Sequence, residues 1–404
     1  MAGQEGLFAI ALGVEEPIYI EKIEFDKDSG ELHIHMNFRR GAKFACSNCG
    51  KAGLSVHDTV EKTWRHLNFF QYKCYIHLRT PRTECPDCGD RLYMPPWGRK
   101  GSGFTILFEL LILTLAKEMP VSQIAELIGD HDTKVWRVIR SYVKKAYHEK
   151  SFETTSKLGV DETSSRKGHN YVTIFADLEN GDVLFATEGK GSATVESFAK
   201  EMPMHNATPK QIKEISMDMS PAFISGADKY LSSASVTFDK FHVIKQLNEA
   251  LDEVRRNEQK KNPLLKRSRY AWLKNPDNLT AEQKKLLATI SKENTKTAKV
   301  YQMKLTFQDI YRNIYETAAA DAAIRKWLSW AVRSRLEPVK EYARMVKKHY
   351  AGILRFFESR LTSGMMEGIN SRVQEIKRRA KGFRNIPNFI SMIYLEAGRL
   401  SLPS

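Results

Sequence analysis

The sequence predicts a multidomain α+β protein, and three observations predict it. Two Cys-x-x-Cys pairs sit in a strand-patterned region over residues 1–95, followed by a Pro/Gly cluster and three apolar-periodic helical segments. From residue 156, period-two runs alternate with helical runs in the order βββαβαβα, before a long charged helical stretch.

Length and charge bound the answer. The 404 residues allow two or three domains with their own cores. Lys and Arg total 63 against 48 for Asp and Glu, a net charge of +15 that points to a polyanionic partner such as nucleic acid. The longest apolar run, Phe104 to Ala116, is broken by Glu109 and falls short of the roughly 20 residues that span a bilayer. Leu7 to Val14 has no basic segment ahead of it and runs into Glu15 and Glu16, unlike a secretory signal. A cytoplasmic protein with no membrane partner, associated with the nucleoid when bound to DNA, is expected. Four of the five cysteines fall into the two pairs, which suits a metal in a reducing compartment better than disulfides; Cys74 is left over.

In the first region (1–95), Glu31 to Phe38 alternates through Leu32, Ile34 and Met36, and Gln71 to Arg79 through Tyr72, Cys74, Ile76 and Leu78, both read as short strands. Cys46-Ser47-Asn48-Cys49-Gly50 and Cys85-Pro86-Asp87-Cys88-Gly89 are knuckles of the kind that wrap tetrahedral zinc, with glycine where the turn tightens. Strands must bring the knuckles together, as in a zinc ribbon holding one structural zinc on Cys46, Cys49, Cys85 and Cys88. His57, His66 and His77 are the alternative donors. Trp64, Arg65, His66, Tyr72, Arg79 and Arg82 are candidates to face phosphates.

Pro95, Pro96, Gly98, Gly101 and Gly103 mark a boundary. Residues 104–150 read as a helix-turn-helix: an apolar segment, a break at Pro120, a short helix ending at Gly129, and a longer helix capped by Asp132 or Thr133. That last helix turns Lys134, Arg137 and Arg140 outward, the candidates for contact with DNA in the major groove.

Residues 156–256 carry the βββαβαβα series: strands at Lys157 to Glu162, Tyr171 to Ala176, Val183 to Thr187, Ile212 to Met217 and Ser235 to Phe238. Helices are placed at Ala193 to Met202, Pro221 to Leu231 and Phe241 to Arg256. This is the order of an RNase H-like α/β core. Residues 257–350 are almost wholly helical and read as an all-helical insertion interrupting that core. The C-terminal helices (351–404) return to it, with Met366, Ile369, Val373, Ile376, Ala380 and Phe383 forming one apolar stripe. Trp272, Trp327 and Trp330 in the insertion are read as core packing rather than base stacking.

In such a core the first strand is central and the fourth lies beside it. Asp161 lies on the first and Asp218 ends the fourth, so adjacent strand ends present two carboxylates. A third comes from a later helix: Glu367 opens the last amphipathic helix, with Asn370, Gln374 and Lys377 on its face, although Glu358 and Glu375 lie on adjoining segments. Hard oxygen ligands of this kind suit two Mg (or Mn) ions in an in-line displacement at phosphorus. Lys377, Arg378, Arg379, Lys381 and Arg384 are candidates to grip the DNA backbone nearby.

These motifs together resemble the DDE transposases of bacterial insertion sequences in the ISL-three family. The resemblance rests on the cysteine knuckles, Gly159-Val160-Asp161-Glu162, Met217-Asp218-Met219-Ser220-Pro221, Asp239-Lys240-Phe241-His242-Val243, Lys266-Arg267-Ser268-Arg269-Tyr270 and Gly364-Met365-Met366-Glu367-Gly368-Ile369-Asn370. Where such families commonly show Thr-Asn-Gly before the glutamate, this chain has Thr362-Ser363-Gly364. The resemblance implies that Asp161, Asp218 and Glu367 are the catalytic, metal-binding triad, and that Asp239 and His242 line the active site or support it structurally. It also implies that the N-terminal modules bind transposon ends, and that the enzyme cleaves DNA at terminal inverted repeats and joins the 3′-hydroxyl ends to target DNA. Pairing two double-stranded ends implies a homodimer or higher assembly. The alternatives are a catalytically inactive DNA-binding regulator, or an RNase H-like nuclease that cuts without strand transfer.

Overall fold

A computed structural model describes residues 3–165, 171–291, 295–361 and 364–403. The chain divides into two compact units, Met1–Tyr142 with Leu402–Ser404, and Val143–Ser401.

In the first unit a helix, Gln4–Leu12, precedes six strands: β1 (Ile18–Asp26), β2 (Glu31–Phe38), β3 (Lys43–Phe44), β4 (Leu54–Phe69), β5 (Tyr72–Cys85) and β6 (Gly89–Leu92). They form one sheet in the order β1-β2-β5-β4-β3, with β6 beside β5. The alternation in β2 and β5 places Leu32, Ile34, Met36, Cys74, Ile76 and Leu78 on the inner face, all at most 2% exposed. The strands are not all short: β4 and β5 run 16 and 14 residues as a long hairpin.

That hairpin overturns two of the expected phosphate-facing residues. Trp64 and Arg65 are only 4% and 8% exposed. Trp64 lies on the inner face, and the Arg65 guanidinium is used internally, donating to the Cys74 carbonyl at 3.1 Å and to the His66 carbonyl and Asn68 Oδ1. The Arg65 backbone also ties the Pro/Gly segment back onto β4, donating to the Gly103 carbonyl at 2.8 Å and accepting from Thr105 at 3.0 Å.

Three helices follow, Ile106–Ala116, Val121–Ile128 and Asp132–His148. Thr105 caps the first by accepting from the Phe108 N–H, and Gly129, at φ 65°, ends the second. The third begins at Asp132 itself, so Asp132 and Thr133 are first-turn residues rather than caps. Glu109 is fully buried yet satisfied: Arg99 donates to both its oxygens, and Ser102 Oγ and Tyr142 Oη also donate to it.

The second unit contains β7 (Lys157–Ser164), β8 (Tyr171–Asp177), β9 (Asp182–Glu188), β10 (Glu214–Met217) and β11 (Ser235–Phe238), in the spatial order β11-β10-β7-β8-β9. β7, β8 and β9 are antiparallel neighbours, β10 runs parallel to β7, and β11 parallel to β10. Helices Ser192–Glu201, Pro221–Tyr230 and Lys240–Gln259 alternate with the later strands, as the period change predicts.

Between Arg269 and Ser359 the described elements are helical, and their core is continuous with that of the sheet. Trp272 and Trp327 are buried within it. Their indole N–H groups donate to Ser268 Oγ and the Met303 carbonyl, which fits packing rather than base stacking; Trp330 packs partly buried against the same core. Lys304, also fully buried, ends the helix Arg269–Leu273 by donating to the carbonyls of Trp272, Leu273 and Lys274.

The C-terminal stripe runs over the helix Gly364–Arg379 and into the connection before the next helix, Ile386–Ala397. Met366, Ile369, Val373 and Ile376 are buried on the first, whereas Ala380 and Phe383 lie beyond its end. Lys381 and Gly382 adopt positive φ there, and the Gly382 N–H closes the helix on the Lys377 carbonyl at 2.8 Å.

Candidate active site and metal centres

In the first unit the hairpin geometry brings the two knuckles together. One sulfur from each of Cys46, Cys49, Cys85 and Cys88 lies within 4.8 Å of the others. Gly50 and Gly89 take positive φ of 77° and 71°, which lets each loop turn back after its second cysteine. The Asn48 backbone N–H points at the Cys46 sulfur at 3.4 Å, and its side-chain amide at Cys88 at 3.3 Å. Backbone N–H groups of Cys49 and Asn48 pull the Cys46 thiol below its ordinary value, while the neighbouring thiols push Cys49 above its own. Four soft donors at this spacing fit a structural zinc. The alternative histidine donors stand elsewhere: His66 bonds Thr105 Oγ1 at 2.9 Å, His57 lies 3.9 Å from Asp58, and His77 belongs to a different cluster. Cys74 is buried on the inner face of β5, where burial pushes its thiol up to about 11.

In the second unit the register carries the acids. β10 pairs with β7 up to Ser216 opposite Gly159, so continuing the same register by two residues sets Asp218 beside Asp161. Asp161 accepts from the Glu162 N–H at 2.7 Å and from Asn370 Nδ2 at 2.5 Å, and Asp218 accepts from the Ser220 N–H at 2.8 Å. Burial raises the Asp161 carboxyl above its ordinary value, against the opposing pull of the Glu162 N–H and of His242. Glu162 is raised as well, by burial and then by the charge of Asp218. The expectations passed over Glu162; its place next to Asp161 at the open end of β7 was the available signal.

The helix Gly364–Arg379 lies along β7 through a row of side chains. Asn370 holds Asp161, Gln374 donates to Thr163 Oγ1 at 2.8 Å, and Lys377 donates to the Ser164 carbonyl at 2.6 Å. Glu367 is exposed one turn before Asn370 on this row; Thr362 and Ser363 lie outside the described residues. Close approach of helix and strand requires Gly159, because a Cβ there would stand 2.6 Å from Met366 Sδ. The three acids do not gather around one point within 4.8 Å. Asn370 Oδ1 is buried without a protein partner, a free oxygen beside the Asp161 carboxylate.

The other carboxylates on adjoining segments face elsewhere. Glu358 pairs with Arg355 in a groove between β11 and the helix Tyr350–Ser359, and Glu375 is exposed, its charge felt by Glu396. Asp239 caps the helix Lys240–Gln259 through the Phe241 N–H and holds His242 Nδ1 at 3.0 Å. Asp239, with smaller contributions from Asp161 and Asp218, raises the His242 ring above its ordinary value. The pair thus supports the helix and stands in the field of the acids.

Among the basic residues, Lys134, Arg137 and Arg140 are exposed on the helix Asp132–His148, as are Arg378, Lys381 and Arg384 near the C-terminus. Arg379 and Lys377 are already engaged, Arg379 in an ion pair with Glu396 and Lys377 with Ser164. No helix among the described residues is long and apolar enough to cross a membrane.

Comparison with known proteins follows the same divisions. Residues 42–88 match the zinc-finger of transposase IS204/IS1001/IS1096/IS1165, residues 94–143 the helix-turn-helix domain of transposase family ISL3, and residues 158–393 the ISL3-type DDE family described as Transposase. The transposase for insertion sequence element IS1557 of Mycobacterium tuberculosis is 26% identical over 437 aligned positions, covering 98% of this chain and 97% of its own. The transposase for insertion sequence element IS1001 of Bordetella parapertussis is 26% identical over 396, covering 95% and 96%. The cysteine cluster, the helical pair with its exposed basic face and the match over 158–393 converge, and the chain belongs to the ISL3 family of DNA transposases.

Proposed function

We propose that this transposase binds the terminal inverted repeats of its own insertion sequence through the ribbon and helix-turn-helix, and cleaves and joins DNA on an RNase H-like core at Asp161, Asp218 and Glu367. The helical block over 257–350 is then an insertion in that core, and the strand order β11-β10-β7-β8-β9 with its mixed directions supports the fold reading. The reading is supported by the register of β7 and β10, which ends two residues before Asp161 and Asp218 on adjacent strands, and by the helix bearing Glu367, pinned to β7 by Asn370.

Two magnesium or manganese ions, when bound, would supply an activated oxygen nucleophile and stabilise the departing one. The chain's own part is positional. Asn370 and the Glu162 N–H fix both oxygens of Asp161, the Ser220 N–H fixes Asp218, and the Gln374 and Lys377 bonds hold Glu367's helix in phase with the strand. Lys134, Arg137, Arg140, Arg378, Lys381 and Arg384 hold the DNA backbone. Two ends must be paired before joining, so the working form is a dimer or larger.

The test is a supercoiled plasmid carrying the element ends, incubated with the protein and Mg²⁺. Cleavage at the ends and strand-transfer products bearing target duplications are expected, both lost in Asp218→Ala. Equal cleavage by that variant would refute the assignment.

A further inference from the structure

The outer face of the N-terminal sheet carries a second cluster of metal-ligating side chains, separate from the cysteines. β2 and β5 are parallel, with His35 opposite His77 and His33 opposite Tyr75, and Thr63 of β4 lies opposite His77. Because Leu32, Ile34, Met36, Ile76 and Leu78 occupy the inner face, the period of two forces His33, His35 and His77 onto the other. Their rings form a tight group: His35 and His77 stack with centroids 4.5 Å apart, and His33 lies 5.2 Å from His77.

We propose that His35, His77 and Glu61 bind a divalent transition-metal ion of the zinc class. One donor atom from each of the three lies within 4.8 Å of the other two. Each imidazole has one nitrogen tied to an oxygen, His35 Nε2 to Glu24 at 3.0 Å, His77 Nδ1 to Thr63 Oγ1 at 3.0 Å and His33 Nε2 to Glu31 at 3.3 Å, while the second nitrogens of His33 and His77 bond each other. This is the outer-shell pattern of metal-bound histidines, in which the far nitrogen is oriented by a carboxylate or hydroxyl.

His33 Nδ1 and His77 Nε2 are hydrogen-bonded at 3.0 Å, a bond that an ion held on His77 Nε2 would replace. Imidazole donors select zinc, copper or nickel over magnesium, so this ion differs in kind from those of the carboxylate site. An ion here would cross-link β2, β4 and β5 from the solvent side, complementing the cysteine clip.

The test counts zinc on the full-length protein, dialysed against a zinc buffer with excess Mg²⁺ to fill the oxygen site. Two zinc equivalents are expected for the wild type and one for the His35→Gln/His77→Gln chain. Cobalt-loaded His35→Gln/His77→Gln should keep its thiolate-to-metal absorption, because the cysteine centre is intact. Glu24→Gln, which leaves all proposed ligands in place, should weaken the second equivalent by roughly 10- to 100-fold. The wild type gives a readout independent of any variant: the second zinc equivalent should shield histidines from diethyl pyrocarbonate. One equivalent in the wild type, an unchanged count in the double variant, or no shielding would each overturn the proposal.

Discussion

Gly159→Ala is the perturbation whose effect follows most directly from the packing. Gly159 lies two residues before Asp161 on β7, hence on the same face, and a methyl there would stand 2.6 and 2.7 Å from Met366 Sδ and Cγ and 2.7 Å from Leu178 Cδ2. Unstrained carbon contacts lie at about 3.5 to 4.0 Å, so the buried Met366 and Leu178 side chains must give way by roughly 1 Å and press on the helix that carries Met366. Overpacking of this size costs about 1 to 3 kcal/mol, and alanine returns about 0.5 to 1 kcal/mol of backbone entropy in a strand. A net loss of up to about 2.5 kcal/mol is expected in urea unfolding. Because Met366 precedes Glu367, the same displacement moves the third acid, and a shift of about 1 Å in a reacting group costs on the order of 100-fold in rate. Cleavage of an end-bearing duplex in Mg²⁺, at a temperature where the variant is fully folded, should fall by that factor, and adding Met366→Ala should restore much of it. A variant that is destabilised as calculated but cleaves within about threefold of the wild type would refute the reasoning that this packing sets the acid geometry.

Three further outcomes follow. Cys88→Ser should cost the cysteine centre more than the roughly 10- to 100-fold in zinc affinity typical of losing an outer-shell partner, read by zinc competition, with increased proteolysis near residues 46–49. Arg99→Met strands the buried Glu109 carboxylate and should destabilise the first unit by about 3 to 5 kcal/mol in denaturant melts, whereas a change under about 1 kcal/mol would show the network to be replaceable. Arg137→Ala with Arg140→Ala, both exposed, should weaken binding to element ends and lower the slope of log affinity against log salt by about 2, and an unchanged slope would remove them from the DNA interface.

How much of this was legible in the sequence depended on whether the signal was local. The strand Glu31–Phe38 was readable to the residue, because alternation there coincides with full burial of one face. The cysteine knuckles were readable because spacing and glycine placement are themselves local. The long hairpin was not: β4 has a mixed burial pattern that hides its 16-residue length, and the burial of Arg65 depends on the Cys74 carbonyl across the hairpin and on the returning segment at Gly103. Asp161 and Asp218 follow from strand order, while the pin from Asn370 to Asp161 spans 209 residues and left no trace in any window. The histidine cluster was hidden for the same reason, since it appears only when β2 and β5 pair in parallel.

Glu367 is the one of the three acids that strand order alone does not supply. The direct measurement compares Glu367→Gln with Glu375→Gln and Glu358→Gln for cleavage and joining of element-end DNA in Mg²⁺, with end binding measured in parallel. Loss of a metal-holding carboxylate removes about 4 kcal/mol of transition-state stabilisation, roughly a thousandfold in rate. Glu367→Gln should show that loss while binding ends as the wild type does, and the other two should cleave normally. Wild-type cleavage by Glu367→Gln, with activity lost instead in Glu358→Gln or Glu375→Gln, would contradict the assignment.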